Sequence, residues 1–149
     1  MNRSTLGWAL VWLIGCSQGP TPPAPLASDT ESCRHCRMLV SQVGVAAQLV
    51  APGEEPLFFD DIGCLRDFLR DAKELPRGTI AYVADHRSQD WVAAAAAIYS
   101  RVDGLETPMG SHLIAHADRS SLAADRAARG AATLTPKEVF GPAGPPAGS

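Results

Sequence analysis

The residues with the most distinctive chemistry lie in the run SCRHCRM, from Ser32 to Met38. Cys33, Cys36 and Met38 place three sulfur atoms within six residues of one another. Thiolate and thioether groups together suit a soft ion such as Cu(I), whereas Zn(II) binds thiolate and imidazole and rarely thioether. A redox pair, a zinc site and a disulfide staple are the alternatives for the same run. The combination of cysteine and methionine favours a soft-metal site.

The spacing of Cys36 and Met38 predicts how the two sulfur atoms would share an ion. If the segment that follows Cys36 is a strand, both side chains lie on one face, with Cα atoms about 6.6 Å apart. Arg37 would then point away from the ion. The thiol has to lose its proton to bind a metal, whereas a thioether does not titrate.

Cys64 and Met109 are candidate ligands from other parts of the chain. Cys64 falls in the first turn of a predicted helix that begins after Asp61, where unpaired N–H groups favour a thiolate and lower its pKa. The alternative is that Cys64 is a small buried residue beside Leu65. Met109 lies in a Pro-Met-Gly turn, where a methionine has little core to fill.

The other polar residues show no pattern typical of an enzyme. The chain has no Ser-His-Asp set or phosphate loop, and the adjacent pair Asp60-Asp61 is interpreted as helix capping. Its four histidines are interpreted as ordinary polar residues, with metal binding as the alternative for His35, His112 and His116. A formal charge of −3 without a basic stripe argues against a nucleic-acid partner. We therefore expect binding without catalysis.

Residues 1–15 have the features of a secretory signal peptide. Arg3 precedes an apolar run of about ten residues, well short of the roughly 20 that a membrane-spanning helix needs. The run ends in LIGC, which resembles the lipobox of bacterial lipoproteins and implies cleavage before Cys16 and lipidation of its thiol. An ordinary signal peptide with a chance cysteine is the alternative. Because Ser17 rather than Asp follows Cys16, we expect a lipid anchor in the outer membrane and a domain in the periplasm.

Composition predicts the boundaries of the folded part. Residues 16–32 are rich in proline and predict a flexible linker after the lipidated cysteine. Residues 141–149, GPAGPPAGS, predict a disordered tail. The folded domain is therefore expected at 33–140.

Within this domain the apolar patterns predict both strands and helices. GVAAQLV and PLFF predict a hairpin around Pro52 and Gly53, and TIAYVA and HLIAHA predict further strands, whereas WVAAAAAIYS fits either structure. Apolar residues recur every three or four positions in DDIGCLRDFLRDAKELP, which predicts a helix capped by Asp61. DRSSLAADRAARG predicts a second helix that ends at Gly130, and TPKE has the form of a capping box. We expect an α+β fold made of two small β-β-α type units in tandem.

Together these motifs resemble the NosL family, lipid-anchored copper chaperones linked to maturation of nitrous oxide reductase. Beside the lipobox, the segments that carry the resemblance cover roughly residues 33–140; they are CRHCRMLV, AAQLV, LFFDDIGCL, TIAYVAD, DWVAAAAAIYS and TPMGSHLIAHAD. The resemblance implies a fold of two small β-β-α-type units in tandem and a Cu(I) site centred on Cys36 and Met38, with Cys33 nearby. It implies that Met109 is a further ligand or a wall of the site. The family usually has glycine where this chain has Arg37.

The sequence thus predicts a membrane-anchored Cu(I) carrier that is not an enzyme. The resemblance implies that it delivers copper to the copper–sulfide centre of nitrous oxide reductase, in denitrification. A Cys-x-x-Cys thiol–disulfide oxidoreductase and a structural lipoprotein with a disulfide staple remain as alternatives. Thioredoxin-like sites open a helix, whereas strand-like MLVS follows Cys36 here. The candidate metal ligands are Cys33, Cys36, Met38, Cys64 and Met109.

Overall fold

The first sheet is built around the apolar strand β1 (Ala47–Val50), all four residues of which are buried. A computed structural model describes residues 19–148 of the chain. In it β2 (Leu57–Phe59) and β3 (Ile80–Ala84) flank β1, and β4 (Trp91–Ala93) pairs with β3. All three pairings are antiparallel. The predicted hairpin between β1 and β2 is confirmed, with Gly53 in the left-handed region at φ 75°.

Helix α1 (Ile62–Asp71) begins where the sequence predicts. Asp61 is the N-cap, and its carboxylate accepts a hydrogen bond of 2.6 Å from the backbone N–H of Gly63. The first turn of the helix is buried against the strands, and the residues that follow Leu65 are more exposed. The helix therefore presents its amino-terminal end, which includes Cys64, to the interior.

The second sheet has three antiparallel strands, with β5 (Ile98–Arg101) between β6 (Leu113–His116) and β7 (Ala132–Leu134). The ambiguous segment WVAAAAAIYS becomes β4, a turn and β5 rather than a helix. Helix α2 (Arg119–Ala124) is shorter than predicted. It ends at Asp125, which has an extended backbone and whose carboxylate contacts His116 of β6 rather than the helix. Helix α3 (Pro136–Phe140) begins with the predicted capping box at Thr135 and Glu138.

The α+β class is confirmed, since short helices accompany two small antiparallel sheets. The division into two independent β-β-α units is not confirmed. One apolar core contains Leu49 and Phe59 of the first sheet together with Tyr99 and Leu113 of the second. A further strand also follows each of the helices α1 and α2, so neither half ends at its helix.

Segments on both sides of the predicted domain contact the first sheet. The side chain of Gln48, fully buried in β1, exchanges hydrogen bonds of 2.8 and 3.1 Å with the backbone of Ala24. Near the carboxyl end of the chain, Ala147 forms an antiparallel bridge with Ile80. The predicted signal peptide and the lipidated Cys16 lie outside the described residues. Between residues 19 and 148, no helix has the length and apolar character that a membrane crossing demands.

Asp85 links the two sheets. It forms a parallel bridge with Ala115 of β6, and its carboxylate accepts a hydrogen bond of 2.7 Å from the backbone N–H of Ala117. The other acceptor positions take the N–H groups of Arg87 and Ser88 and the hydroxyl of Ser121. Burial alone would raise the pKa of Asp85, but these hydrogen bonds outweigh burial and lower it to about 2.

We predict that Asp85→Asn lowers the free energy of unfolding at pH 7 by about 2 kcal/mol. The pKa of Asp85 is depressed in the folded state, so this contribution is complete above the unfolded pKa of 3.8 and is lost as the pH falls towards 2. Urea unfolding at several pH values measures the difference between wild type and variant. The exposed Asp90 in the same loop provides the control Asp90→Asn, which should leave stability nearly unchanged. A gap between wild type and Asp85→Asn that stays constant down to pH 2 would contradict this role.

Candidate metal centre

The two cysteines of the Cys-x-x-Cys run lie in a tight turn rather than at the start of a strand. The backbone N–H of Cys33 donates to the carbonyl of Met38 at 2.7 Å, and that of Arg37 donates to the carbonyl of Cys33 at 3.0 Å. The condition that Cys36 to Met38 form a strand is not met, because Arg37 has a left-handed backbone with φ 69°. The N–H of Arg34 donates to the carbonyl of Phe58 at 2.8 Å and fastens the turn to β2.

This turn brings three sulfur atoms and one carboxylate together. Cys33, Cys36, Asp60 and Cys64 each offer a ligand atom, and these atoms all lie within 4.8 Å of one another. Asp60 follows β2, and Cys64 lies in the first turn of α1. All three cysteines are free thiols, with Cys33 and Cys64 only 1% exposed and Cys36 half-buried. We call these four residues the sulfur cluster.

Hydrogen bonding and burial give the three thiols different proton affinities. The Cys64 thiol donates a hydrogen bond to Cys33 and thereby lowers the pKa of Cys33 to about 6, although burial opposes this. Burial is the main cause that raises the pKa of Cys36 to about 11. The expectation of a lowered pKa at Cys64 is wrong. Its pKa is raised far above the ordinary value, because its proton is held against Cys33 and burial disfavours a second thiolate.

The helix start does not activate Cys64, because other groups already use its free N–H donors. The Asp61 carboxylate accepts from Gly63, and the N–H of Cys64 donates to the carbonyl of Asp61 at 2.9 Å. The side chain of Asp61 therefore occupies this end of the helix, and the hydrogen bond from Cys64 favours the thiolate at Cys33 in the neighbouring turn.

Asp60 belongs to the cluster and was missed by the sequence interpretation. It is fully buried, and both of its carboxylate oxygens lie 3.3 Å from the sulfur of Cys36, whose thiol donates a hydrogen bond to the carboxylate. Helix capping requires one aspartate, and Asp61 supplies it. The second aspartate of the pair was the signal that could have pointed to a separate role.

Met38 and Met109 are both 48% exposed, in contrast to the buried thiols. The loop that carries Met109 packs on the start of α1, since the N–H of Met109 donates to Asp61 at 3.0 Å. A Cβ atom at Gly63 would come within 2.6 Å of the Cβ of Ser111, so glycine at this position permits the close approach. Distant parts of the chain therefore meet beside the cluster, and a ligand role for the two thioethers stays a prediction.

The fold and this site define a class of protein. Three thiols of unequal acidity and one carboxylate, gathered on a small α+β domain, are a donor set for a thiophilic metal ion. The family model described as NosL matches residues 23–139. The chain therefore belongs to the NosL family, which is known for accessory copper-binding proteins rather than enzymes. No curated protein and no solved structure matches the chain.

We predict that Arg37→Gly stabilises the protein by about 0.5–1 kcal/mol. A left-handed backbone costs an L-residue about 1–2 kcal/mol, of which the greater entropy of glycine in the unfolded chain cancels about 0.5–1 kcal/mol. Chemical unfolding of the metal-free protein measures the change.

Arg34→Gly is the matched control, because Arg34 is an exposed arginine in the same turn without a positive φ. It should lower the free energy of unfolding by about 0.5–1 kcal/mol through entropy alone. Equal destabilisation by both variants would refute the argument from the backbone of Arg37.

Proposed function

We propose that this protein binds one Cu(I) ion at the sulfur cluster and passes it to a copper-dependent enzyme outside the cytoplasm. The observation that carries the proposal is the convergence of three thiols within 4.8 Å in a chain of the NosL family. Thiolates select soft ions, and a site with few ligands favours Cu(I) over ions that require six oxygen donors. A copper-binding role fits both the family and the donor set.

The uneven burial of the cluster supports a route for copper entry and release. Cys33 and Cys64 are enclosed, whereas Cys36 is half-buried at the edge of the turn. Met38 and Leu39, which follow it, are about half exposed, and so is Met109. An incoming ligand from a partner would reach the Cys36 side first, and thioethers on that surface would hold a soft ion during exchange without any change of protonation.

The recipient that we propose is nitrous oxide reductase, during assembly of its copper–sulfide centre. Membership of the NosL family supports this recipient. The LIGC motif at Cys16 supports a lipid anchor, and with it a position in the periplasm, where such a carrier would meet its partner at the membrane.

A thiol–disulfide oxidoreductase is the second candidate, and the lowered pKa of Cys33 is the observation in its favour. An attacking thiolate must also be accessible. Cys33 is 1% exposed, and the Cys-x-x-Cys run lies in a hairpin turn rather than at the start of a helix. These two features favour metal binding over disulfide exchange.

The test is a Cu(I) titration of the chain without residues 1–16, under anaerobic reducing conditions, against a chelator of known affinity. We expect tight binding of one Cu(I), with an affinity that falls by more than about a hundredfold in Cys36→Ser. Loss of a residue that only hydrogen-bonds to a metal ligand already lowers metal affinity roughly 10–100-fold, and loss of the ligand itself should lower it further. Cys33→Ser and Cys64→Ser report on the two buried thiols. Met38→Leu and Met109→Leu form a matched pair, because both side chains are 48% exposed.

The control is His35→Asn, an exposed substitution between the two cysteines that perturbs the turn without removing sulfur. It should retain the affinity of the wild-type protein. The proposal fails if Cys36→Ser and Cys33→Ser bind Cu(I) as tightly as wild type. Turnover of a disulfide substrate in the absence of metal would instead support the oxidoreductase.

We further predict that Cu(I) affinity falls as the pH is lowered, and falls more steeply below about pH 6. Ligation displaces the proton of Cys36, whose pKa is about 11, throughout the neutral range. Below the pKa of Cys33, about 6, the ion also has to displace the proton of Cys33. The chelator competition repeated between pH 5 and pH 8 measures this slope, and a constant slope across pH 6 would show that Cys33 is not a ligand.

A further inference from the structure

A second group of metal-ligating side chains lies outside the sulfur cluster, on other elements of the fold. His86 follows β3, His116 is the last residue of β6, and Asp125 follows α2. The Nδ1 atom of His86 and the Nε2 atom of His116 lie 2.6 and 2.9 Å from the same oxygen of Asp125, Oδ2. One ligand atom from each of the three residues lies within 4.8 Å of the other two.

The backbone holds these three side chains in place. The N–H of His86 donates to the carbonyl of Ala115 at 2.8 Å, which ties the loop after β3 to β6. The second carboxylate oxygen of Asp125 accepts from the N–H of Ala127 at 2.8 Å and fixes the orientation of the carboxylate. The three donors therefore converge before any ligand binds, and each comes from a different element.

Burial makes this group unusual. The side chain of His116 is fully buried, that of Asp125 is 8% exposed, and that of His86 is 22% exposed. Within residues 19–148 no lysine or arginine forms an ion pair with Asp125, so the two imidazoles are its partners. A cation bound between the carboxylate and the two imidazoles would add a positive charge beside the buried carboxylate.

His116 makes few polar contacts for a fully buried histidine. Its Nδ1 atom is buried and has no hydrogen-bond partner among the described residues. Buried polar atoms are nearly always paired, and an exception needs an explanation. The atom that faces Asp125 is Nε2, which is the candidate ligand, and this single polar contact is all that the described residues offer the imidazole.

We propose that His86, His116 and Asp125 form a second metal site, which takes a borderline divalent cation such as Zn(II). Two imidazole nitrogens and one carboxylate oxygen are a common donor set for this ion, with metal–ligand bonds of about 2.0–2.2 Å. Tetrahedral ligands at that distance are about 3.3 Å apart, so the N–O separation has to widen by about 0.4 Å for His116 and about 0.7 Å for His86. His86 is the most exposed of the three side chains, so a cation from solvent would meet it first. The nitrogen and oxygen donors of this second site are harder than the thiols, so the site does not compete with the sulfur cluster for Cu(I).

The experiment is a titration of the full chain with Zn(II) against a chromophoric chelator, with the cysteines kept reduced. His86→Asn and Asp125→Asn remove one ligand each and should abolish one zinc equivalent, or weaken it by at least about tenfold. His112→Asn and Asp118→Asn are the matched controls, because both lie outside the group and asparagine suits a left-handed backbone and an N-cap. The controls should bind zinc as wild type does.

A parallel titration of the wild-type chain with Co(II) identifies the donors without relying on a variant that folds. Nitrogen and oxygen ligation gives weak visible bands, whereas thiolate ligation adds an intense sulfur-to-cobalt charge-transfer band. We expect one set of visible bands to grow during the titration without a matching increase in the charge-transfer band, either before that band develops or after it has reached its maximum. Binding seen only with the charge-transfer band, or zinc stoichiometry and affinity unchanged in both ligand variants, would overturn the second site. Neither outcome bears on Cu(I) binding at the sulfur cluster, which its own titration decides.

Discussion

Two adjacent and fully buried carboxylates, Asp60 and Asp61, hold the sulfur cluster together at the junction of β2 and α1. Asp61 caps the helix through Gly63 and also binds the backbone of Met109, so one carboxylate joins the helix to a loop 48 residues away. Asp60 accepts a hydrogen bond from the thiol of Cys36 and so holds the cysteine turn against the same junction. Because buried carboxylates are costly without donors, their hydrogen bonds constrain the helix, the cysteine turn and the methionine loop to one arrangement.

This arrangement explains why the cluster has one acidic thiol rather than three. Several anions in one small buried volume repel one another, and Asp60 already contributes to the electrostatics of all three thiols. The Cys64 proton is shared with Cys33, so a single thiolate forms most readily and the other two protons stay until a cation replaces them. A monovalent soft ion suits such a centre, because it needs few ligands and few protons have to leave the thiols when it binds.

The two sheets meet through Asp85 and through the group formed by His86, His116 and Asp125. These contacts lie at the carboxyl-terminal ends of the strands β3 and β6. Asp85 bridges to β6 through backbone and side chain, and His86, the next residue, extends the same link to Asp125. A polar connection thus joins the halves beside their shared apolar core. Such a connection is directional, so it fixes how the sheets are placed in a way that apolar packing alone does not.

The sequence by itself determined the local structure and the kind of chemistry. Asp61 as N-cap, the hairpin at Gly53, the capping box at Thr135 and the presence of a sulfur-rich metal motif follow from short-range patterns, and the structure contains each of these local elements. The tertiary structure alone decided which residues share a site. It placed Asp60 beside Cys36, moved the low pKa from Cys64 to Cys33, and turned two histidines described as ordinary into neighbours of Asp125. Local signals act through bonds within a few residues, whereas proton affinity and metal ligation depend on burial and on groups brought close from distant parts of the chain.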